Sequence, residues 1–382
     1  MITNLSFSVD RPFQRCKTFL FFDEIQEFKE LVTKIKFWVD EGSFRYVFSG
    51  SLLGVELKNI KSAPVGYLKT LTMYPLDFEE YLQIHNFTKE LRDSLYRSFI
   101  EKTPVNEAVH ERMMQIFNLY LNVGGMPAAV ECFKETKNLE SVLDVHTNIV
   151  LQYERDFKRY ETEAKKAYLT KIYDLISAEL NSSNKRFNLV DLKKGLQYSR
   201  SEDDFIWLAN AGVALPVYNV TAPAIPLMLN EKSSLFKLFL TDVGILTTLY
   251  GKATKVQILT GEIDINNGAL YENVVAQELK THGFKLYYYN SKRFGELDFV
   301  IEYKGKVLPI EVKSGKSYQR HSALNNVIKI SNYSIDEAFV LSNFNVEVKG
   351  NITYYPIYMI MLVNESEIKL PKVDLIDLSS IK

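Results

Sequence analysis

Asp298, Glu311 and Lys313 have the types and spacing for metal-assisted chemistry on a phosphate. They lie in GELDFVIEYKGKVLPIEVKSG, residues 295–315, where two alternating segments flank Tyr303-Lys304-Gly305-Lys306. That tetrapeptide reads as a tight hairpin turn, with glycine supplying the positive φ angle. Centring the turn on Lys304-Gly305 sets Glu302 opposite Val307, Val300 opposite Pro309, Asp298 opposite Glu311 and Glu296 opposite Lys313. Side chains alternate at period two, so these residues share one face. The other face carries Leu297, Phe299 and Ile301 against Leu308, Ile310 and Val312, and belongs to the core. Directly opposed carboxylates repel, so Asp298 and Glu311 ask for a neutralising partner. Mg2+ held by oxygen ligands and water would supply it. Lys313 would then position or activate an attacking water, or stabilise charge developing on a phosphate. Glu272, on a helix expected over 270–280, could reach the same site as a further metal ligand. The alternative is a pair of solvated carboxylates relieved by Lys313 alone.

A second acidic pair sits near the other end, in TFLFFDEIQEF, residues 18–28. Residues 18–22 form an uninterrupted apolar run of strand length, as expected of a parallel strand buried on both faces. Asp23 and Glu24 stand where that strand emerges at its C-terminal end, the edge at which open α/β sheets bind ligands. Phe28, Leu31, Val32, Ile35, Trp38 and Val39 recur at helical spacing, and Gly42 suits the left-handed residue beyond a last turn. A second strand over 45–48 leads to Ser49-Gly50-Ser51 and completes a βαβ unit. Its two strand ends would bring Asp23, Glu24 and Ser51 side by side. In P-loop ATPases the first carboxylate holds Mg2+, the second polarises the attacking water, and a polar residue on the next strand senses the γ-phosphate. The plainer alternative is a pair of carboxylates capping a helix start.

The phosphate cradle of such a site requires G-x-x-x-x-G-K-[ST]. The chain contains no such sequence: neither Gly251-Lys252 nor Gly315-Lys316 has glycine five positions earlier, and both follow the strand. A complete core would need roughly 60 further residues ahead of the strand, about two strand–helix units. Residues 1–88 are therefore expected to form a partial ATPase core lacking its phosphate loop.

The elements that must position these groups are an α/β multi-domain fold. The chain has 382 residues, 46% apolar and 24% charged, enough for two or three domains with a sizeable core. A formal net charge of −1 excludes a bulk nucleic-acid binder, though not a local basic patch. Cys16, Cys132 and five scattered histidines form neither a disulfide framework nor a zinc motif, a composition that suits a reducing cytoplasm. The apolar run 352–363 is broken by Pro356 and too short for a bilayer. The first residues lack the apolar core of a signal peptide.

In between, Asp77 with Glu80 forms a capping box that starts a helix after Pro75. Helical sequence continues, broken at Val123-Gly124-Gly125-Met126-Pro127, as a helical lid over 89–164. Residues 165–200 carry eight Lys or Arg against three Asp or Glu. A stripe of Tyr168, Ile172, Leu175, Ile176 and Leu180, a short helix at Leu189 and Leu192, and a third around 205–209 precede segments 214–220 and 225–229, which read as a two-stranded wing. Three helices and a hairpin describe a winged-helix module over 165–255, whose positive charge suits a nucleic-acid backbone. Protein docking by an ordinary solvated face is the alternative.

D…E-x-K on a hairpin, following a helix that carries Glu272, resembles the restriction-endonuclease-like PD-(D/E)XK fold. The whole chain is similar to the prokaryotic AAA-type ATP-binding proteins that end in domain of unknown function 4143, which contains that fold. The carriers are LFFDEIQEF, FSGS, LTMYPLDFEEYL, NVGGMPAAVECF, FKLFLTDVGIL, GALYENVVAQEL and the 295–315 stretch, in family order. The resemblance implies a nuclease-like domain over 256–365 followed by a tail, 366–382. It implies that Asp23 and Glu24 match the metal-binding and catalytic pair of the ATPase, with Ser51 in the sensor strand. Asp298, Glu311 and Lys313 match the nuclease triad, with Glu272 as its helix carboxylate. Mg2+ and, at family level, ATP are the cofactors implied; DNA and a protein partner or second copy are the partners. Tyr67 stands where many members have arginine after glycine. With the loop absent as well, no competent ATPase is expected of this chain alone.

Overall fold

Apolar residues at helical spacing between two short apolar strands dictate the N-terminal architecture, and the computed structural model shows it. Residues 13–50, 66–160, 163–182, 185–192, 202–260, 268–365 and 371–372 are described. By its contacts the chain divides into two units, Met1–Met73 with Arg200–Ala214, and Tyr74–Ser199 with Leu215–Lys382.

In the first unit, β1 (Phe19–Phe22) pairs in parallel with β2 (Arg45–Phe48), in the register Phe19↔Arg45 to Phe22↔Phe48. Helix α1 (Lys29–Glu41) joins them after a 3-10 turn, Ile25–Phe28. Gly42 ends α1 at φ 70°, its N–H donating to the Trp38 carbonyl at 3.3 Å. Ile25, Val32 and Ile35 are buried beneath Phe22, Leu31, Trp38 and Phe48. The expectation that β1 is buried on both faces is corrected: Phe19 and Phe21 are 60% and 63% exposed. Alternation sends Leu20 and Phe22 to the other side of this two-stranded sheet.

The second unit opens with α2 (Phe78–Leu82), where Asp77 and Glu80 form the expected capping box. Then follow α3 (Lys89–Glu101), α4 (Glu107–Val123), α5 (Pro127–Thr136), α6 (Leu139–Tyr160), α7 (Glu163–Asn181) and α8 (Leu189–Leu192). After α9 (Glu202–Asn210), which belongs to the first unit, come β3 (Ala214–Val220), β4 (Glu231–Leu240), α10 (Val243–Tyr250), α11 (Lys252–Thr260) and α12 (Gly268–Thr281). The remainder is β5 (Tyr287–Ser291), β6 (Gly295–Tyr303), β7 (Lys306–Lys313), α13 (Ser322–Ile328), β8 (Ala338–Ser342), β9 (Glu347–Lys349) and β10 (Ile352–Pro356).

Among the described residues, eight strands form one sheet in the order β4-β3-β5-β6-β7-β8-β10-β9. β5, β6 and β7 are an antiparallel meander, and α13 carries the chain to β8, parallel to β7. The proposed wing is corrected here. Residues 225–229 hold a cis Ile225-Pro226 bond and a 3-10 turn, Leu227–Asn230; the strand lies beyond, at β4. β3 and β4 are neighbouring strands of the large sheet, and on its other side β3 pairs in parallel with β5 through Tyr218↔Tyr287 to Val220↔Tyr289.

Helix α12 is buried on every side from Ala269 to Leu279, so its polar residues must be satisfied by other elements. Asn273 accepts from the Leu240 N–H at 2.8 Å and donates to the Leu240 carbonyl at 3.0 Å. Gln277 accepts from the Val243 N–H and donates to the Tyr120 hydroxyl at 2.7 Å. Glu278 accepts from the Phe78 N–H at 2.9 Å. These bonds fix where α12 stands, and hence where Glu272 points. Among the described residues, no helix is long and apolar enough to cross a membrane.

Candidate functional site

The β6–β7 hairpin folds as its sequence directs. Lys304 and Gly305 have φ 51° and 76°, the left-handed pair that a two-residue turn requires. Glu302↔Val307 and Val300↔Pro309 pair as expected. Nearer the open end the alternation slips. Tyr287 and Tyr289 share a face of β5, yet their partners on β6 are Val300 and Leu297, three residues apart. A bulge at this point places Leu297 with Val300 in the core, not with Phe299 and Ile301 as strict alternation demands. Bulges bend a strand and re-aim side chains. Here the Asp298 carboxylate accepts from the backbone N–H of Val312 at 2.9 Å.

The structure gathers Asp298, Glu311, Lys313 and Glu272 in one ionic network. Glu311, 2% exposed, lies 2.7 Å from the Lys313 ammonium, which stands 3.9 Å from Asp298. Glu272 on α12 is also buried, and its Oε1 accepts from Lys185. Lys237, on β4 and wholly buried, lies 2.7 Å from Glu296 and 3.7 Å from Glu272, with the Tyr288 ring 5.1 Å away. Glu296, expected opposite Lys313, instead meets Lys237 and Asn290.

Burial and the neighbouring Asp298 carboxylate push Glu311 up to about 8, despite Lys313. Burial also favours the neutral form of Asp298, but Lys313, Lys237, Lys185 and the Val312 amide outweigh it and hold that carboxyl below its ordinary range. Glu272 is raised by burial and by Asp298, against the pull of Lys237 and Lys185. Two carboxyls with opposed protonation preferences are therefore side by side, Asp298 ionised and Glu311 a proton carrier at neutral pH.

Such a set fits a divalent cation only in part. Among the described residues, no three His, Cys, Asp or Glu side chains converge as a metal ion needs. The buried Glu272 Oε2, without a hydrogen-bond partner among them, faces the Lys237 ammonium. Ammonium groups thus stand against the carboxylates that would have served as ligands. Lys185 and Lys237 escaped the sequence reading, although a lysine inside the apolar strand SSLFKLFL already demands a buried counter-charge.

In the first unit, Asp23 and Glu24 lie exposed just past β1. The register ends β1 and β2 together, so the residues that follow meet. Asp23 accepts from the Ser49 hydroxyl and from the Glu24 N–H at 3.1 Å. Glu24 adopts φ 50°. Among the described residues Ser49 is the serine that reaches Asp23; Ser51, expected beside Asp23 and Glu24, lies outside them. The ring of Tyr67 stands 5.7 Å from the Lys36 ammonium.

Residues 3–82 match the AAA domain, residues 114–256 a domain of unknown function (DUF8612), and residues 267–360 a domain of unknown function (DUF4143). In this chain a stretch similar to the AAA domain thus precedes one similar to DUF4143. Among solved structures, the Walker-type ATPase PABY2304 of Pyrococcus abyssi is similar at 14% identity and a TM-score of 0.38, over 61% of this chain and 63% of that one. No curated protein matches.

Proposed function

We propose that this protein is an AAA-family ATP-binding-type protein whose C-terminal module has a nuclease-like fold and serves in binding, without cutting DNA. The helix, meander and parallel crossover strand, with Asp298, Glu311 and Lys313 at the open end of the hairpin, support the nuclease-like reading. One observation carries the non-cleaving reading: Lys185, Lys237 and Lys313 already neutralise the carboxyls that would hold Mg2+. Mg2+, if bound by Glu272, Asp298 and Glu311, would polarise a phosphate and activate water. The three lysines compete with it for those oxygens.

The test is incubation of the purified chain with supercoiled, linear and single-stranded DNA in Mg2+ or Mn2+. Binding without cleavage is expected. Cleavage abolished by Asp298→Ala and Lys313→Ala would establish a nuclease instead. At the other end, 382 residues without G-x-x-x-x-G-K-[ST] lack the amides and lysine that cradle a triphosphate. Each charge-assisted hydrogen bond forgone costs about 1.5–3 kcal/mol. The chain alone is therefore expected to show no ATP turnover; turnover abolished by Glu24→Gln would refute this.

A further inference from the structure

Residues 83–113 lie outside the three family matches. With Leu82 of α2 and the following turns of α4 they line an open cavity of about 710 Å³. Small-molecule sites have volumes of about 300–1,000 Å³ and mostly apolar walls with a few placed polar groups. The chain reverses after α2 through a 3-10 turn, Gln83–His85, and through Asn86, which is left-handed at φ 57°. That reversal brings Phe87 and Leu91, at the start of α3, to the same cavity as Val109, Met113, Ile116 and Leu119 of α4. Val109, Met113 and Ile116 recur at helical spacing, so one face of α4 turns into the cavity. Phe87, Leu91, Val109, Ile116 and Leu119 are only half-buried, and covering them with an apolar body would remove further surface from water.

The charge on this lining has one sign. Arg112, one helical turn from both Val109 and Ile116, is its ionised side chain, and no carboxylate lines the cavity. The guanidinium donates to Gln115 at 3.2 Å and makes no ion pair among the described residues. The rest of its planar fork is open to a carboxylate, the group whose geometry it matches. His85 stays neutral at pH 7, because burial and the Lys137 ammonium lower its pKa, and Lys137 adds positive potential on that side. We propose that the cavity is a binding site for a small amphiphilic carboxylate, with its hydrocarbon chain on Phe87, Leu91 and Ile116 and its head group on Arg112. None of these residues belongs to either acidic site described above, and the proposal stands or falls independently of them.

The experiment titrates the full chain, labelled with 13C in its methionine methyl groups, with octanoate and with 1-octanol. The Met113 resonance, assigned by its loss in Met113→Leu, reports on this cavity and not on the exposed rings of Phe19 and Phe21. Octanoate is expected to shift that resonance saturably, and 1-octanol to bind at least fivefold more weakly. Arg112→Gln, a change at an exposed position, should weaken octanoate at least fivefold and leave 1-octanol unchanged. Ile116→Glu, which sets a carboxylate among the apolar groups, should abolish the octanoate shift. No saturable shift with octanoate up to about 5 mM would overturn the proposal. Equal affinity for the acid and the alcohol would also overturn it, since the cavity would then be an apolar groove without a carboxylate site. So would an octanoate affinity unchanged in Arg112→Gln.

Discussion

Glu311 and Glu278 are acids kept in places where a negative charge is poorly tolerated, and their protonation ties stability to pH. Burial first, then a neighbouring carboxylate, raises each from an ordinary 4.5 to about 8. Below 4.5 both the folded and unfolded forms hold the proton, and the folded state carries no penalty. Between 4.5 and 8 the unfolded chain releases protons that the folded chain retains, so stability falls as pH rises. His282, raised by Asp77 and Glu278 in spite of burial, acts in the same direction above its ordinary 6.5. Urea unfolding is thus expected to show lower stability at pH 8.5 than at pH 6, by at most about 1.4 kcal/mol per pH unit for each group. Glu278→Gln, which can still accept from the Phe78 N–H, should flatten the slope; an unchanged slope would contradict this assignment. Asp298, Glu311 and Lys313 were legible from alternation alone, because all three lie on one local hairpin. Lys185 and Lys237 were not, since their partners are set by tertiary packing that no local period encodes.

At the scale of elements, the turn between α4 and α5 shows how closely the helices approach the elements around them. A Cβ on Gly125 would fall 1.9 Å from the Leu76 carbonyl oxygen, and one on Gly124 2.3 Å from a carboxylate oxygen of Asp242. Asp242 accepts from the Gly125 N–H at 2.6 Å and caps α10 through the Ile245 N–H at 2.9 Å. Gly125→Ala is expected to cost about 3 kcal/mol by forcing this backbone apart. A calorimetric Tm equal to that of the wild type would show that the turn relaxes freely. The βαβ unit, the capping box and the hairpin were legible, each from a period or a turn signal spanning a few residues. The wing was misread for a physical reason. Residues 225–229 are apolar enough for a strand, but Pro226 offers no N–H to a ladder, and the chain turns there before β4 begins. The β6 bulge escaped as well, since a strict period of two carries no mark of an extra residue.

For the molecule as a whole, the large sheet disregards the borders drawn by sequence families. β3 and β4 lie in the stretch matching DUF8612, yet they share a sheet with β5–β10 of the DUF4143 match. Helix α12, at the start of that second match, takes hydrogen bonds from Phe78, Leu240 and Val243, all outside it. A fragment beginning at residue 267 would leave Asn273, Gln277 and Glu278 without these partners and expose an apolar helix. Such a fragment is expected to lack cooperative unfolding, whereas the full chain retains it; a sharp transition in the fragment would prove that the C-terminal domain stands alone. The first unit has a different character. Phe19 and Phe21 turn outward from a strand with only one partner among the described residues. Water therefore wets two benzyl rings that most proteins keep dry, and this patch is where a fluorescent hydrophobic dye would brighten and where crowding would first make the chains sticky.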